Sequence, residues 1–226
     1  MIEIQQLSKT FGDTSILRHI SARFLGGRAY GIVGANGAGK STLFRCIAGL
    51  ESHQGEISSA HTPLKDHLGY LLAEQYFLPR ITGQEYLTLL VEAREKRITD
   101  LLDRNIFDLP LQAYVSTYST GMKKKLAILG ILLQDNNYFI LDEPYNGLDL
   151  QSSMMLTEII TRLKAMGKTI LISSHIFSTL TETCDEMFLL QDGTFLKHMD
   201  QADFGRLEEE LKENLLAKDL DKLFGN

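Results

Sequence analysis

"AYGIVGANGAGKSTLFRCIAGL", residues 29–50, carries the pattern from which the rest of the chain can be read. It opens on a short apolar run of the kind that forms a buried strand. It closes with Leu43, Phe44 and Ile47 at helical spacing before Gly49 ends the helix. Between the two, residues 34–42 fit G-x-x-x-x-G-K-S/T in the strand-to-helix setting that gives such a match its meaning. Glycines let successive main-chain N–H groups curl around phosphate oxygens, and the helix that starts here adds the positive end of its dipole. Gly34, Asn36, Gly37, Ala38, Gly39, Lys40, Ser41 and Thr42 are therefore the candidate phosphate-binding set. Within it Lys40 would reach the outer phosphates of a nucleoside triphosphate, and Ser41 would ligate magnesium.

Upstream, residues 2–7 and 16–24 alternate apolar and polar around the turn-like "FGDTS", which predicts an antiparallel pair. Downstream, residues 82–103 place Leu87, Leu90 and Val91, then Ile98, Leu101 and Leu102, as the buried stripe of a helical lobe. Two continuous apolar runs, "NYFILDEP" and "KTILISSH", flank a helix predicted over 152–165. Such a β-α-β unit, with strands apolar on both faces, argues a mostly parallel sheet. "EMFLLQDGTFLKH" reads as a hairpin about Asp192-Gly193, and the remainder as an acidic, amphipathic C-terminal helix.

Composition narrows the function classes. The 226 residues are 44% hydrophobic and 23% charged, enough for one domain with an inserted lobe. A net charge of −6 removes the electrostatic case for a nucleic-acid partner. The two cysteines, Cys46 and Cys184, have neither a Cys-x-x-Cys spacing nor nearby histidines, so a reducing compartment is expected and a zinc site is not. The start of the chain lacks a secretory pattern, and the longest apolar run, residues 126–133, is far short of the roughly 20 residues that span a bilayer.

Asp142 and Glu143 close the apolar run "FIL" and would emerge at the carboxyl edge of the sheet beside the phosphate loop. Asp142 is the candidate magnesium residue, and Glu143 the group that orients or deprotonates an attacking water. His175 ends the next strand and would reach the same edge, although a lone histidine is more often structural. "YSTGMKKKL", residues 118–126, raises a second question: a hydroxyl, a glycine and a basic run open an apolar helix as though to meet another anion. Taken by itself, that stretch is an N-cap followed by solvated lysines.

Taken in order, these motifs resemble the ATP-binding subunit of an ABC transporter, from Ile2 to about Lys197. The resemblance implies a P-loop NTPase (RecA-like) α/β fold with a mostly parallel core, an antiparallel β subdomain and an inserted helical subdomain. It divides one domain into a core of residues 1–73 and 119–200, a lobe of 74–118 and a tail of 201–226. Residues 34–42 look like the Walker A loop, Asp142 the Walker B aspartate, Glu143 the catalytic glutamate, and residues 146–149, ending at Asp149, the D-loop. His175 resembles the switch histidine, and Phe11 the aromatic that stacks on adenine; Phe11 read alone is a core residue. Ser119 and Gly121 resemble the signature, which implies that their phosphate belongs to a second chain packed head to tail. ATP with Mg2+ is thereby the implied ligand set. The implied partners are a second copy or a related ATPase and a separate transmembrane permease, which would hold the chain on the inner face of the cell membrane.

Three features depart from that pattern or color it. Thr120 replaces the usual first glycine of the signature, and Met122-Lys123 a glycine-glutamine; this S-x-G-M-K form is similar to drug, antibiotic and polysaccharide exporters. Counting back from Pro79 puts Ala73 where the family has its Q-loop glutamine. Either Gln75 takes that metal-sensing role through a shifted loop, or the contact is missing. The competing functions are a soluble ABC ATPase, against which one cassette and a short lobe count, and a non-hydrolysing regulator, against which Glu143 and His175 count.

Overall fold

A computed structural model describes residues 1–97, 99–174 and 177–206. Strands β1 (Ile2–Phe11) and β2 (Thr14–Phe24) form the expected antiparallel pair, and β4 (Gln54–Ser59) joins the other side of β1 to make a three-stranded sheet. Between them in sequence come β3 (Arg28–Val33) and helix α1 (Lys40–Ile47). The larger sheet has six strands in the order β5-β6-β7-β3-β8-β9. Here β5 is Leu68–Leu71, β6 Tyr138–Asp142, β7 Thr169–Ser173, β8 Glu186–Gln191 and β9 Thr194–Asp200. Every pairing in it is parallel except β8 with β9, the hairpin turning through Asp192 and Gly193, both left-handed.

The core follows the two-residue period of these strands. On β6, Phe139 and Leu141 face one side, where they pack with Ile128, Leu156, Ile160 and Leu180. Those side chains come from α3 (Thr120–Leu133), α4 (Leu150–Ala165) and α5 (Phe177–Thr183). Tyr138 and Ile140 face the other side, against Leu43 and Phe44 of α1 and Ile4, Leu7 and Leu17 of the small sheet. Burying each such side chain contributes about 1.5–3 kcal/mol. With both faces covered, β6 and β7 are buried at every residue, which is why their sequences are unbroken apolar runs.

The lobe differs from its reading in the sequence. Helix α2 (Gly83–Glu92) starts in a capping box, Thr82 accepting from the Glu85 N–H and Glu85 from the Thr82 N–H. It stops at Glu92 instead of running to residue 103. Glu95 turns left-handed, the Lys96 N–H returns to the Val91 carbonyl, and the Arg94 guanidinium donates at 2.9 Å to the carbonyls of Lys65 and Leu68. Those long-range partners win over continued helix. Leu87 and Val91 are buried as predicted, whereas Leu102 is 70% exposed and Ile98 lies outside the described residues. The lobe core is completed by Leu109, Leu111 and Val115 against Leu126, Leu129 and Leu133 of α3. The predicted C-terminal helix falls almost wholly on residues 207–226, outside the described residues.

Candidate nucleotide site

The phosphate loop lies between β3, in the middle of the large sheet, and α1. Gly39 takes φ 105, a left-handed setting at the N-cap that disfavours any side chain. It makes no side-chain cap, and the first turn of α1 holds no acid. The first N–H groups of the helix are thus left to an anion. Lys40, buried, donates from Nζ to the carbonyls of Gly34 at 2.7 Å and Ala35 at 3.1 Å, which anchors the ammonium across the loop.

Asp142 ends β6 beside Ser173 at the end of β7. The Asp142 side chain is 2% exposed and its Oδ1 accepts from the Ser173 hydroxyl at 2.5 Å. The same Ser173 oxygen accepts the Glu143 N–H at 3.0 Å. Glu143 adopts φ 50, a left-handed conformation uncommon for a side chain of its size, as is often found where function fixes the backbone. Phe11, at the end of β1, is 46% exposed, and the Lys9 ammonium lies 4.5 Å from its ring centroid. Lys9 is itself held by Glu51 at 3.2 Å and the Ser52 hydroxyl at 3.3 Å.

These pieces meet. A cavity of about 290 Å³ is lined by Phe11 and Ile16, by Asn36, Gly37 and Gly39 of the loop, by Lys40, Ser41 and Thr42, and by Asp142 and Glu143. Its parts suit a nucleoside triphosphate: an aromatic face, a cradle of N–H groups, a lysine, and a hydroxyl and carboxylate of the oxygen type that magnesium prefers.

Other predicted residues lie elsewhere. Ser119 is the N-cap of α3, accepting from the Met122 N–H at 3.2 Å, and it is exposed outside that cavity. A Cβ on Gly121 would come within 2.6 Å of the Gly147 carbonyl oxygen, so the glycine is also what lets α3 lie against the 146–149 loop. Asp149 caps α4 through the N–H and hydroxyl of Ser152, both at 2.9 Å, and pairs with Lys125 at 2.6 Å. Its carboxyl is held well below the usual range by the Lys125 ammonium first and the Ser152 donors second. Gln75 does not line the cavity; its amide turns back to donate to the Leu72 carbonyl. His175 lies outside the described residues. Ser173 escaped the sequence reading because the residues it acts on, Asp142 and Glu143, lie on another strand far earlier in the chain, and Lys9 because the Glu51 and Ser52 that hold it beside Phe11 are equally remote in sequence.

A three-layer α/β domain with a glycine-rich loop, a buried lysine and a strand-end pair of acids in one cavity defines a P-loop nucleotide hydrolase. The chain belongs to the ABC transporter family, whose pattern matches residues 17–146, and within it is an ATP-binding subunit with ATPase chemistry. It is 31% identical over 230 residues to the lantibiotic transport ATP-binding protein SrtF of Streptococcus pyogenes, covering 96% of this chain and 98% of that one. The solved structure of an ATP-binding subunit of an ABC transporter superposes with a TM-score of 0.81 at 27% identity, over 99% of this chain and 98% of the other. A dimeric ATP-binding cassette in a post-hydrolysis state bound to ADP and Pi shares the fold, with a TM-score of 0.80 at 16% identity over 89% and 99% of the two chains.

Proposed function

We propose that this chain hydrolyses ATP to drive export through a separate membrane-spanning partner, closing as a head-to-tail dimer around the nucleotide. The observation that carries the reading is the division of the motifs. Phe11, the loop, Asp142 and Glu143 share one cavity, while Ser119 stands exposed outside it at the mouth of α3. A signature placed away from its own cavity is of use to the cavity of a neighbour.

In that arrangement Phe11 stacks the base, and the loop N–H groups with Lys40 hold the phosphates and take up charge that develops as the terminal bond breaks. Magnesium, held by Ser41 and Asp142, would neutralise the outer phosphate oxygens. Glu143 accepts a proton from water as its oxygen bonds to the γ-phosphorus, and the bridging oxygen leaves with ADP. His175, by its place after β7, is assigned to the γ-phosphate. Among the described residues no helix is long and apolar enough to cross a membrane, which fits a division of labour with a permease at the inner membrane face. Export is supported by the S-x-G-M-K form of the signature and by a relative named for lantibiotic transport.

Glu143→Gln tests the site: ATP binding within twofold of native, a stable ATP-dependent dimer and turnover reduced more than a hundredfold are expected. Native turnover in that variant refutes the assignment. Recovery of a multi-span protein with the tagged chain from gently solubilised membranes is the expected result for the transport reading, and a purely soluble complex overturns it.

A further inference from the structure

Lys124 is the fifth residue of α3, and it is 3% exposed. Its ammonium donates to two main-chain carbonyls, that of Glu143 at 2.8 Å and that of Ala73 at 3.2 Å. Those carbonyls belong to the loop after β6 and to the segment after β5 that leads into the lobe. A buried ammonium is costly to desolvate, and an apolar side chain of similar volume would fill the space without that cost. Burial pushes its pKa down, opposed by the carboxylates of Glu143 and Asp142.

We propose that Lys124 is a positioning residue for hydrolysis, which holds the Glu143 main chain in its left-handed setting and ties it to the start of the helical lobe and to the signature end of α3. The proposal rests on Glu143 being the hydrolytic base. Glu143 is gripped on both sides of its Cα: the N–H is given to Ser173, and the carbonyl accepts from Lys124. With both peptides fixed, the direction in which the side chain leaves the Cα is fixed as well. The same helix that supplies Lys124 is capped at Ser119, five residues and about 1.4 turns earlier, about 7.5 Å along the axis. A displacement of that outer end therefore moves the ammonium and the Glu143 peptide with it. Ala73 takes part through its carbonyl, which no side chain at that position needs to supply.

Lys124→Met in the full chain tests this, with ATP hydrolysis and ATP affinity measured side by side. The expected result is a kcat at least tenfold lower with the Kd for ATP within twofold of native. Lys124→Gln, which keeps an N–H donor without the charge, should recover clearly more turnover than Lys124→Met. A kcat within twofold of native in Lys124→Met overturns the proposal, and so does a parallel loss of kcat and ATP affinity, which marks a merely structural lysine. Equal failure of the Gln and Met variants overturns the donation to the carbonyls. Should Lys124→Met not fold, Lys124→Ser, which admits water but cannot reach either carbonyl, is expected to show the same split and is judged by the same outcomes. Glu143→Gln measured alongside separates the two ideas. Native turnover there removes the base and the tether together, while an inactive Glu143→Gln beside a fully active Lys124→Met removes the tether alone.

Discussion

Replacing Ser173 by alanine removes one oxygen from the end of β7 and takes one contact each from the buried Asp142 and the half-buried Glu143. The Asp142 carboxylate loses the donor at 2.5 Å, and the Glu143 N–H loses its acceptor at 3.0 Å. A hydrogen bond to a charged group contributes about 1.5–3 kcal/mol, and a buried donor left unmade costs about 1–3 kcal/mol. The cavity opens beside Asp142, so water relieves part of both, and the lower ends of the two ranges apply. Their sum gives an expected loss of about 2.5 kcal/mol. Urea unfolding at neutral pH reads it directly: with a slope near 3 kcal/mol/M, the upper part of the usual range, the midpoint falls by about 0.8 M. The slope itself should not change, because the surface exposed on unfolding is the same. Turnover should fall together with stability, since Asp142 and Glu143 both lose an orienting contact. A loss below about 1 kcal/mol would mean that the serine is a bystander and that the two acids are placed by the strand ends alone.

Gly121→Ala forces a Cβ to within 2.6 Å of the Gly147 carbonyl, so about 1–3 kcal/mol of stability should be lost, read as roughly 2–4 °C of Tm for each kcal/mol; an unchanged Tm refutes the close approach. Phe11→Ala should weaken ATP binding about five- to a hundredfold, the range of one lost base-stacking contact, while leaving inorganic triphosphate binding unchanged; equal losses for both ligands refute the stacking role. The Asp149 carboxyl is lowered in the folded chain, so its ionised form stabilises above the ordinary aspartate range, and that contribution disappears as the pH falls through the lowered value. Asp149→Asn should accordingly lower Tm at neutral pH, with the gap to native closing in strong acid; a gap independent of pH contradicts the pairing with Lys125.

The local signals in this chain were strong where one segment carries its own physics. The loop of residues 34–42 is legible because strand, glycines, lysine and helix are contiguous, and the unbroken apolar runs of β6 and β7 announce burial on both faces. Asp142 and Glu143 follow from the end of such a run. The hairpin at Asp192-Gly193 follows from turn chemistry. What the tertiary structure decided are contacts between segments that no spacing brings together. Helix α2 ends at Glu92 because Arg94 finds carbonyls at Lys65 and Leu68, and the apolar stripe that promised a longer helix has no surface to cover at Leu102. Ser173 reaches Asp142 on the neighbouring strand, 31 residues apart in sequence. Lys124 reads from its neighbours as one solvated charge in a basic run, yet the fold buries it against Ala73, 51 residues before it, and Glu143, 19 after. A period in the sequence reports which face of an element turns inward, but which polar group is waiting there depends on how the sheet is ordered, and that order is set only when the layers pack.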